Sequence, residues 1–301
     1  MKCLFLYNPA SGKGRIARQT AYIRRRLEEV YDVVEIVETK SAEDMEARAR
    51  GGAARFDVIL FAGGDGTFNR ILQGVGERDV RLGHIPGGTT NDTARSLGIP
   101  RSVKGALDVI LAGNCAAVDV MRLNGTHYAV YVAAAGAFTR ATYSTGRSLK
   151  KKLGILAYAV EALRHEMKFR VFPVTITCDG RRIEETTVLI LNMNGRSIAG
   201  LKANKHSSMR DGRIELALIR QTKEPNFARR MGAYASLVSL MLMGGKGRSG
   251  HILRLKGSHF LIETDGDVVW DLDGEKGMRG DLRVDVLPGH MKLFVPRKKK
   301  I

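Results

Sequence analysis

Three glycine-rich segments in the first hundred residues carry the residue types that bind phosphate. They are NPASGKG at residues 8–14, GGDGT at residues 63–67 and PGGTTND at residues 86–92. Glycine lets the backbone approach a phosphate closely, and the N–H groups that open a following helix supply donors and a positive dipole end. Asp65 and Asp92 add carboxylate oxygens, the ligands that Mg²⁺ prefers. The three segments together indicate a site for nucleotide phosphates.

Each segment also has a plainer interpretation. SGKG lacks the full P-loop spacing and could be a turn with a surface lysine. In PGGTTND, residues Thr89, Thr90, Asn91 and Asp92 offer hydroxyl, amide and carboxylate groups, although Asn91 or Asp92 could merely cap a helix. GGDGT is the strongest signal, because a plain turn seldom needs three permissive residues.

The strands that precede these segments must bring them together. Residues 2–7, 31–38, 57–62 and 81–85 are predicted strands, and residues 15–29, 41–50, 67–75 and 103–112 are predicted helices, with Ser41 and Asp44 at capping-box spacing. This alternation is typical of a parallel sheet with helices on both faces, an α/β domain. Because loops at the carboxyl ends of parallel strands line one crevice, we expect the segments to converge.

The pattern changes after about Val118 to short strands separated by turns. Strands are predicted at residues 117–123, 127–134, 171–178, 186–192, 213–219, 251–255, 259–264, 268–272 and 282–287, with helical stretches at 153–166 and 227–242. Asp179-Gly180 and Asp265-Gly266 have the residue types of short turns that link strands. A largely antiparallel second domain follows.

The motifs resemble those of the soluble diacylglycerol kinase catalytic-domain family of lipid kinases, which includes bacterial diacylglycerol and phosphatidylglycerol kinases and the sphingosine and ceramide kinases. NPASG at 8–12, GGDGTFN at 63–69, PGGTTND with Ala94-Arg95 behind it, and Asp273-Gly274-Glu275 occur in the family's order over nearly the whole chain. The resemblance implies a nucleotide-binding α/β domain at 1–118, with a tail at 289–301 packing back on it. A mostly antiparallel β-sandwich that binds lipid would span 119–288, with ATP and the lipid headgroup meeting in the cleft between the domains.

The resemblance also implies the site residues. ATP would be held by Asn8, Pro9, Ala10, Ser11, Gly12, Thr39, Gly63, Gly64, Asp65, Gly66, Thr67, Asn69, Arg70, Gly88, Thr89, Asn91 and Asp92. Asp65 and Asp92 would organise Mg²⁺ and the phosphates, and Asp65 is counted with the catalytic residues. Glu275 would accept the proton of the lipid hydroxyl, with Asp273 as a second essential acid. A structural magnesium site would use the Asp211 side chain and the carbonyls of Ser208 and Arg213.

Two departures from the family pattern bear on activity. Arg70 stands where the family usually has an acidic residue, and an arginine cannot ligate magnesium although it could pair with a phosphate. Lys205 and Ser207 replace a proline and an alanine that the family often has upstream of Asp211. These departures keep open a catalytically weak paralogue that senses nucleotide or lipid. NAD kinase, which shares GGDG, is a further alternative that would be expected to lack the distal Asp-Gly-Glu.

Charge and composition point to where the protein works. The 301 residues carry a net charge of +18, of which residues 101–250 hold +14 and each flanking part +2. The predicted helices at 153–166 and 227–242 have apolar stripes that could line an acyl groove, although such stripes are more often simply core. Basic side chains around them and in the tail could attract this face to anionic lipid: Lys150, Lys151, Lys152, Arg229, Arg230, Lys246, Arg248 and Arg297 to Lys300. With 6% aromatic residues and no nucleic-acid module, a nucleic-acid partner is not expected.

Cysteine usage and hydrophobic length complete the expectations. Three cysteines without CxxC spacing suggest reduced thiols rather than disulfides. The N-terminus has too few apolar residues for the core of a signal peptide. The longest uncharged stretch, 231–245, is shorter than the roughly 20 residues of a membrane span. We therefore expect a cytoplasmic protein with peripheral membrane association, compatible with a homodimer. The residues do not name the lipid.

Overall fold

The computed structural model describes residues 1–10, 14–137, 170–198, 200, 201, 204, 207–223, 225–243 and 250–297. The chain divides into two compact units. The first contains Met1–Met121, Ser208–Gly212 and the chain from Leu287 onwards, and the second contains Arg122–Ser207 and Arg213–Val286. The helix predicted at 153–166 lies outside the described residues.

The first unit contains a parallel sheet. Its strands are β1 (Lys2–Tyr7), β2 (Val33–Glu38), β3 (Val58–Gly63) and β4 (Arg81–Pro86), in the order β2-β1-β3-β4. The registers Phe5↔Ile36, Phe5↔Leu60 and Ala62↔Ile85 are all parallel. Every residue of β3 is buried, as expected for a strand covered on both faces. Because the strands run the same way, the segments that follow β1, β3 and β4 leave the sheet at one edge.

Five α-helices of this unit connect the strands. They are α1 (Thr20–Glu28), preceded by a 3₁₀ turn at Ala17–Gln19, α2 (Ala42–Gly52), α3 (Asp65–Val75), α4 (Asp92–Leu97) and α5 (Val103–Leu111). The predicted cap of α2 is confirmed, since the Ser41 hydroxyl accepts the Asp44 N–H at 3.2 Å. α3 starts two residues before its predicted start, and α4, which directly follows PGGTTND, was not predicted as a helix.

The second unit is built from antiparallel strands. They are β5 (Cys115–Leu123), β6 (His127–Ala129), β7 (Val132–Gly136), β8 (Phe172–Cys178), β9 (Arg181–Met193), β10 (Ile214–Arg220), β11 (Ile252–Gly257), β12 (His259–Glu263), β13 (Val269–Leu272), β14 (Glu275–Arg279) and β15 (Leu282–Phe294). Most of β5 and the last part of β15 belong to the first unit, where β15 pairs with β4 in parallel. Within the second unit the neighbours run β14-β13-β7-β9-β8-β12-β15, and β10 pairs with β9 and β11. The predicted α/β plus antiparallel β fold class is confirmed.

Tight turns set the register of two hairpins. Asp179 and Gly180 join β8 to β9 with φ of +45° and +87°, and Asp273 and Gly274 join β13 to β14 with φ of +54° and +90°. Two consecutive residues with positive φ form the turn whose twist matches that of the flanking strands. The first hairpin was predicted from its Asp-Gly pair, whereas β14 was not predicted.

Several strand predictions were wrong in length, and the structure explains two of them. The strand predicted at 127–134 is two strands, β6 and β7, because the N–H groups of Val130, Tyr131 and Val132 bond to a side chain from another part of the unit. The strand predicted to end at 287, ahead of Pro288, continues as β15 to Phe294. Gly289, with φ of +61°, accommodates the irregularity that follows the proline.

A helix covers one face of the antiparallel sheet. α6 (Phe227–Met243) begins at the first residue of the predicted helix and ends one residue later than predicted. Ala233 and Leu240 of this helix are buried in a cluster with sheet residues, among them Ala134, Leu191 and Ile219. Across the part of the chain that the structure describes, no helix combines the length and apolarity needed to cross a bilayer.

Candidate active site

Two glycine loops of the first unit are packed against each other. We call Gly63–Thr67 the GGDGT loop and Pro86–Asp92 the PGGTTND loop. A Cβ built on Gly88 would lie only 2.5 Å from the Cα of Gly64, so the two backbones approach more closely than any side chain permits. The Gly87 N–H donates to the Gly63 carbonyl at 2.8 Å. The parallel sheet therefore brings the two segments together, as the sequence predicted.

Asn91 holds the PGGTTND loop in a strained shape. Its φ is +49°, in the left-handed region that asparagine tolerates better than most residues. The side chain folds back on Gly88, accepting that residue's N–H at 2.9 Å and donating to its carbonyl at 2.8 Å. Asn91 is 2% exposed, and its side chain makes no capping hydrogen bond to α4. The alternative that Asn91 is a simple helix cap is therefore excluded.

Asp65 supplies that cap from the other loop. One carboxylate oxygen accepts the Asp92 N–H at 2.9 Å and the Thr90 hydroxyl at 3.2 Å, and the second accepts the Thr93 N–H at 3.0 Å. The negative charge lies at the positive end of α4, where a carboxylate is stabilising. Asp65 is 8% exposed and Asp92 is fully buried. The Asp65 carboxylate thus joins the two glycine loops into one assembly.

The other predicted nucleotide residues lie at the ends of the same strands or in the helices that follow them. The Thr39 hydroxyl and N–H both donate to the Tyr7 carbonyl, at 3.2 and 2.8 Å, which joins the end of β2 to the end of β1. Asn8 accepts the Ala10 N–H at 2.9 Å, and Pro9 is part of that turn. Thr67 packs on Gly63, Asn69 accepts from Gln73, Gly66 is half-buried, and Thr89 is exposed. Ser11 and Gly12 lie outside the described residues.

Arg70 is directed to a neighbouring helix. Its guanidinium lies 3.3 Å from the Glu46 carboxylate on α2, and Glu46 also pairs with Arg50 at 2.8 Å. α2 and α3 are close there because Gly74 leaves room: a Cβ at that position would lie 2.4 Å from the Glu46 carbonyl oxygen. In this arrangement the ion pair between Arg70 and Glu46 links α3 to α2.

The acidic turn of the second unit is a buried anchor with an exposed end. Asp273 is 3% exposed, and its carboxylate accepts the N–H groups of Val130, Tyr131 and Val132 at 2.7, 3.0 and 3.1 Å. The Asp273 N–H in turn donates to the Val132 carbonyl at 3.0 Å. Glu275, two residues later, is exposed and opens β14. The motif is therefore more than a solvated hairpin turn.

Three side chains that the sequence analysis missed hold this turn and the break between β6 and β7 to which Asp273 bonds. Asn194 donates to the Val130 carbonyl at 2.8 Å, and Asn192 donates to the Ala133 carbonyl at 3.3 Å, so the strand break is bonded on both sides. Asp271 accepts the Gly274 N–H at 2.8 Å. The sequence offered one signal for these contacts, which is the pair of asparagines in the apolar run LILNMN at residues 189–194. Buried amide groups need hydrogen-bond partners.

A second acidic site, within the first unit, surrounds Asp119. Its carboxylate accepts the N–H of Gly212 at 2.7 Å and that of Gly289 at 2.8 Å, and its own N–H donates to the Met209 carbonyl. Burial raises the pKa of Asp119, the two hydrogen bonds oppose that shift, and the negative charge of Asp211 adds to it. The sequence signal for this site was an acidic residue, Asp119, inside the predicted strand 117–123.

Two of the three predicted structural metal ligands, Ser208 and Asp211, belong to the same unit as Asp119. Ser208 and Asp211 lie in the same inserted segment, where the Ser208 hydroxyl accepts the Arg210 N–H. Arg213 is exposed and begins the next segment of the second unit. Among the residues that the structure describes, no group of three or more His, Cys, Asp or Glu side chains is arranged as a metal site.

Comparison with known proteins covers almost the whole chain. The family "Diacylglycerol kinase catalytic domain" matches residues 2–123, and the family "YegS C-terminal NAD kinase beta sandwich-like domain" matches residues 129–295. Diacylglycerol kinase from Bacillus subtilis (strain 168) is 31% identical over 98% of this chain and 96% of its own length. Diacylglycerol kinase from Staphylococcus aureus (strain MRSA252) is 28% identical over 97% and 91%. A crystal structure of a diacylglycerol kinase from Bacillus anthracis str. Sterne superposes with a TM-score of 0.80 at 26% identity, covering 98% of this chain and 97% of that one.

Proposed function

Because this chain belongs to the diacylglycerol kinase catalytic-domain family and is a lipid kinase, we propose that it transfers the γ-phosphate of ATP to a lipid hydroxyl at a membrane surface. Diacylglycerol-like and phosphatidylglycerol-like lipids are the proposed acceptors. The observation that carries the proposal is the joined pair of glycine loops, in which Asp65 caps α4 while Gly64 and Gly88 touch. Glycine backbones that approach each other this closely carry no side chain that would keep a phosphate away from them.

Magnesium fits the side chains at this position. Asp65 and Asp92 are adjacent oxygen donors on the glycine-loop assembly, and hard oxygen ligands are what Mg²⁺ requires. These two residues would hold the ion, which when bound would neutralise charge on the transferred phosphate. The Asp65 carboxylate keeps the loops assembled through its contacts with backbone N–H groups. Loop geometry and metal binding would then depend on the same side chain.

The remaining step needs a base at the attacking hydroxyl. Transfer forms a bond between the lipid oxygen and the γ-phosphorus and breaks the bond to the oxygen that bridges the β and γ phosphates, so the hydroxyl proton must leave. We assign its acceptance to Glu275, because this carboxylate is exposed and stands on a turn that Asp273 anchors by three hydrogen bonds. Asp273 is then a positioning residue, since its three hydrogen bonds hold the turn that carries Glu275.

The second acidic site suits the proposed structural magnesium ion. Asp119 was not among the predicted ligands, yet its carboxylate is buried beside the charge of Asp211. Burial is the main reason that the Asp119 pKa is raised, and a divalent cation near both side chains would offset the smaller contribution from the charge of Asp211. The ligands would be the Asp211 side chain and backbone carbonyls of Ser208 and Arg213, with Asp119 facing them.

A lipid panel tests the proposed function. The purified chain is incubated with [γ-³²P]ATP, Mg²⁺ and vesicles of diacylglycerol, phosphatidylglycerol, undecaprenol or sphingosine, with NAD as a separate acceptor. We expect label in a glycerolipid with the wild type, and loss of at least 100-fold with Asp65→Asn and with Glu275→Gln. Glu263→Gln, at an exposed glutamate that ends β12, is the matched control and should retain activity. Label only in NAD, or unchanged activity in both variants, would overturn the assignment.

The pairing of Arg70 with Glu46 supports one competing function. Arg70 cannot ligate a metal ion, and its guanidinium pairs with Glu46 on α2, which supports a chain that binds nucleotide without turnover, as a sensor. ATP binding by calorimetry without label in any lipid would establish that alternative. If Arg70→Glu then restored phosphorylation, the arginine would be identified as the cause.

A further inference from the structure

One buried histidine contacts the GGDGT loop from within the sheet. His84 lies on β4, is 1% exposed, and places its Nε2 atom 2.9 Å from the Gly63 carbonyl oxygen. A carbonyl oxygen can only accept, so Nε2 must carry the proton and donate it. His84 did not enter the predicted nucleotide site, and its default interpretation is a satisfied core histidine.

Aromatic neighbours fix the plane of this imidazole. The ring is stacked on Phe61 of β3, with centroids 4.9 Å apart and planes 15° apart, and it meets the Phe68 ring of α3 edge-on at 5.2 Å. Burial lowers the pKa of His84, against the hydrogen bond to Gly63 and the negative charge of Asp65. Among the described residues, Nδ1 has no hydrogen-bond partner, as suits a neutral ring protonated at Nε2.

The carbonyl that His84 contacts occupies a central position in the loop assembly. The Gly63 oxygen also accepts the Gly87 N–H at 2.8 Å, so one acceptor joins β4 and both glycine loops. A peptide unit is planar and trans, with its C=O and N–H pointing in opposite directions. Fixing the Gly63 carbonyl therefore directs the Gly64 N–H away from His84. Gly64 is also the residue that touches Gly88.

We propose that His84 is a positioning residue for nucleotide binding, which as a neutral Nε2–H donor holds the Gly63–Gly64 peptide in the orientation that phosphate recognition requires. This inference rests on the proposed function, because it assigns the GGDGT loop to ATP. A histidine that only filled the core would need the ring and its stacking partners, and the N–H donor would be dispensable for ATP affinity. Ring and donor can be separated by substitution.

Two substitutions separate the ring from the donor. His84→Phe keeps an aromatic ring against Phe61 but removes the hydrogen bond, whereas His84→Gln loses the ring and keeps an N–H donor at a similar reach. We expect His84→Phe to raise the KM for ATP about tenfold, in line with the loss of one buried hydrogen bond, with the lipid KM unchanged. His84→Gln should stay within about threefold of the wild type.

A matched control is available in the same unit. The Nε2 atom of His290 lies 3.0 Å from the carbonyl of Gly76, at the far end of α3 from the GGDGT loop. His290→Phe therefore removes an equivalent bond away from the proposed phosphate site, and the KM for ATP should not change. If His84→Phe folds and keeps its ATP KM, or if both His84 variants lose ATP affinity equally, the positioning role is overturned.

A spectroscopic measurement on the wild-type chain covers the case in which His84→Phe does not fold. Imidazole ¹⁵N shifts should show His84 neutral and protonated at Nε2, and the Gly63 carbonyl carbon should show a shift that changes on ATP addition. A ring protonated at Nδ1 would overturn the proposal. Calorimetric ATP binding is measured beside the lipid assay. Normal ATP binding without lipid phosphorylation would refute only the proposed function, and the His84 comparison would then be read from ATP dissociation constants.

Discussion

At the scale of single residues, carboxylates with different roles occupy similar sequence settings. Asp65 and Asp273 each lie in an Asp-Gly pair and each accept three hydrogen bonds, from the start of α4 and from the break between β6 and β7 respectively. Glu275 is exposed at the start of a strand. Hydrogen bonds to a buried carboxylate give it a role in shaping its loop, and an exposed carboxylate on a rigid turn is available to a substrate.

Replacing Asp65 tests whether its hydrogen bonds between the two glycine loops are needed for ATP binding as well as for phosphate transfer. In Asp65→Asn, one amide N–H₂ group must face the N–H of Thr93 or of Asp92, so an acceptor is lost. We expect the free energy of unfolding to fall by about 1–3 kcal/mol. ATP binding should weaken at least tenfold even without Mg²⁺. Urea unfolding and calorimetry measure both. Asp79→Asn, at an exposed acid that pairs with Lys292, should change neither.

Replacing Asp273 tests the positioning role. Asp273→Asn places an amide group against at least one of three N–H donors, so the turn that carries Glu275 should lose its orientation. The expected result is a kcat at least tenfold lower with an unchanged ATP KM, measured by lipid phosphorylation at saturating vesicles. Asp267→Asn, at a carboxylate that is 70% exposed in the same unit, is the control. A selective rise in the ATP KM would argue against the role.

At the scale of elements, short strand ends and backbone contacts decide where the site residues lie. β1, β3 and β4 end at the same edge of a parallel sheet, so the segments that follow them leave the sheet at neighbouring strand ends. Six-residue α4 depends on Asp65 for its cap, and β14 depends on a hairpin whose Asp residue is buried. Helices and strands were predictable from periodicity, whereas these two short elements depend on partners remote in sequence.

A glycine substitution tests the contact between the loops. In Gly88→Ala the new Cβ would lie 2.5 Å from the Gly64 Cα and 2.9 Å from the Asn91 side chain, so the loops must separate. We expect loss of ATP binding and a folded protein with a lower melting temperature. Gly51→Ala in α2 has open space around its Cβ and should be neutral or stabilising by up to about 1 kcal/mol. Normal ATP affinity in Gly88→Ala would refute the loop geometry.

At the scale of the whole molecule, the chain passes between its two units more than once. Ser208–Gly212 and the chain from Leu287 onwards belong to the first unit, although both lie among segments of the second in sequence. The excess of positive charge falls in residues 101–250, and the Arg229-Arg230 pair of α6 is exposed. We propose that this charge brings the protein to anionic lipid.

Vesicle sedimentation tests the proposed membrane contact. Binding to vesicles with anionic lipid should fall as salt rises from about 0.05 to 0.5 M, because exposed charges are screened. Arg229→Glu with Arg230→Glu should weaken it by at least tenfold, given about 1 kcal/mol per basic residue near an anionic surface. Arg24→Glu with Arg25→Glu, in α1 of the first unit, is the matched control. Vesicle binding that does not change with salt concentration would contradict the proposed electrostatic attraction to anionic lipid.

Magnesium removal tests the second acidic site. If a cation binds near Asp119 and Asp211, adding Mg²⁺ should raise the melting temperature and EDTA should lower it, since a ligand of the native state stabilises it. Asp211→Asn should reduce this effect, and Asp265→Asn in the turn between β12 and β13 should retain it in full. Equal responses in the two variants would exclude Asp211 as a ligand.

The sequence by itself determined the fold class, the three glycine-rich segments and the family, because periodicity and glycine placement are local properties that side chains impose on their own backbone. The tertiary structure decided what Asp65, Asp273, Asn194 and His84 do, and it directed Arg70 towards Glu46. The partners of these side chains lie 24 to 143 residues away in the described bonds, except for the 21-residue separation of His84 from Gly63. A buried polar group must find its partner wherever the chain brings one, so its role becomes visible only when the strands are paired.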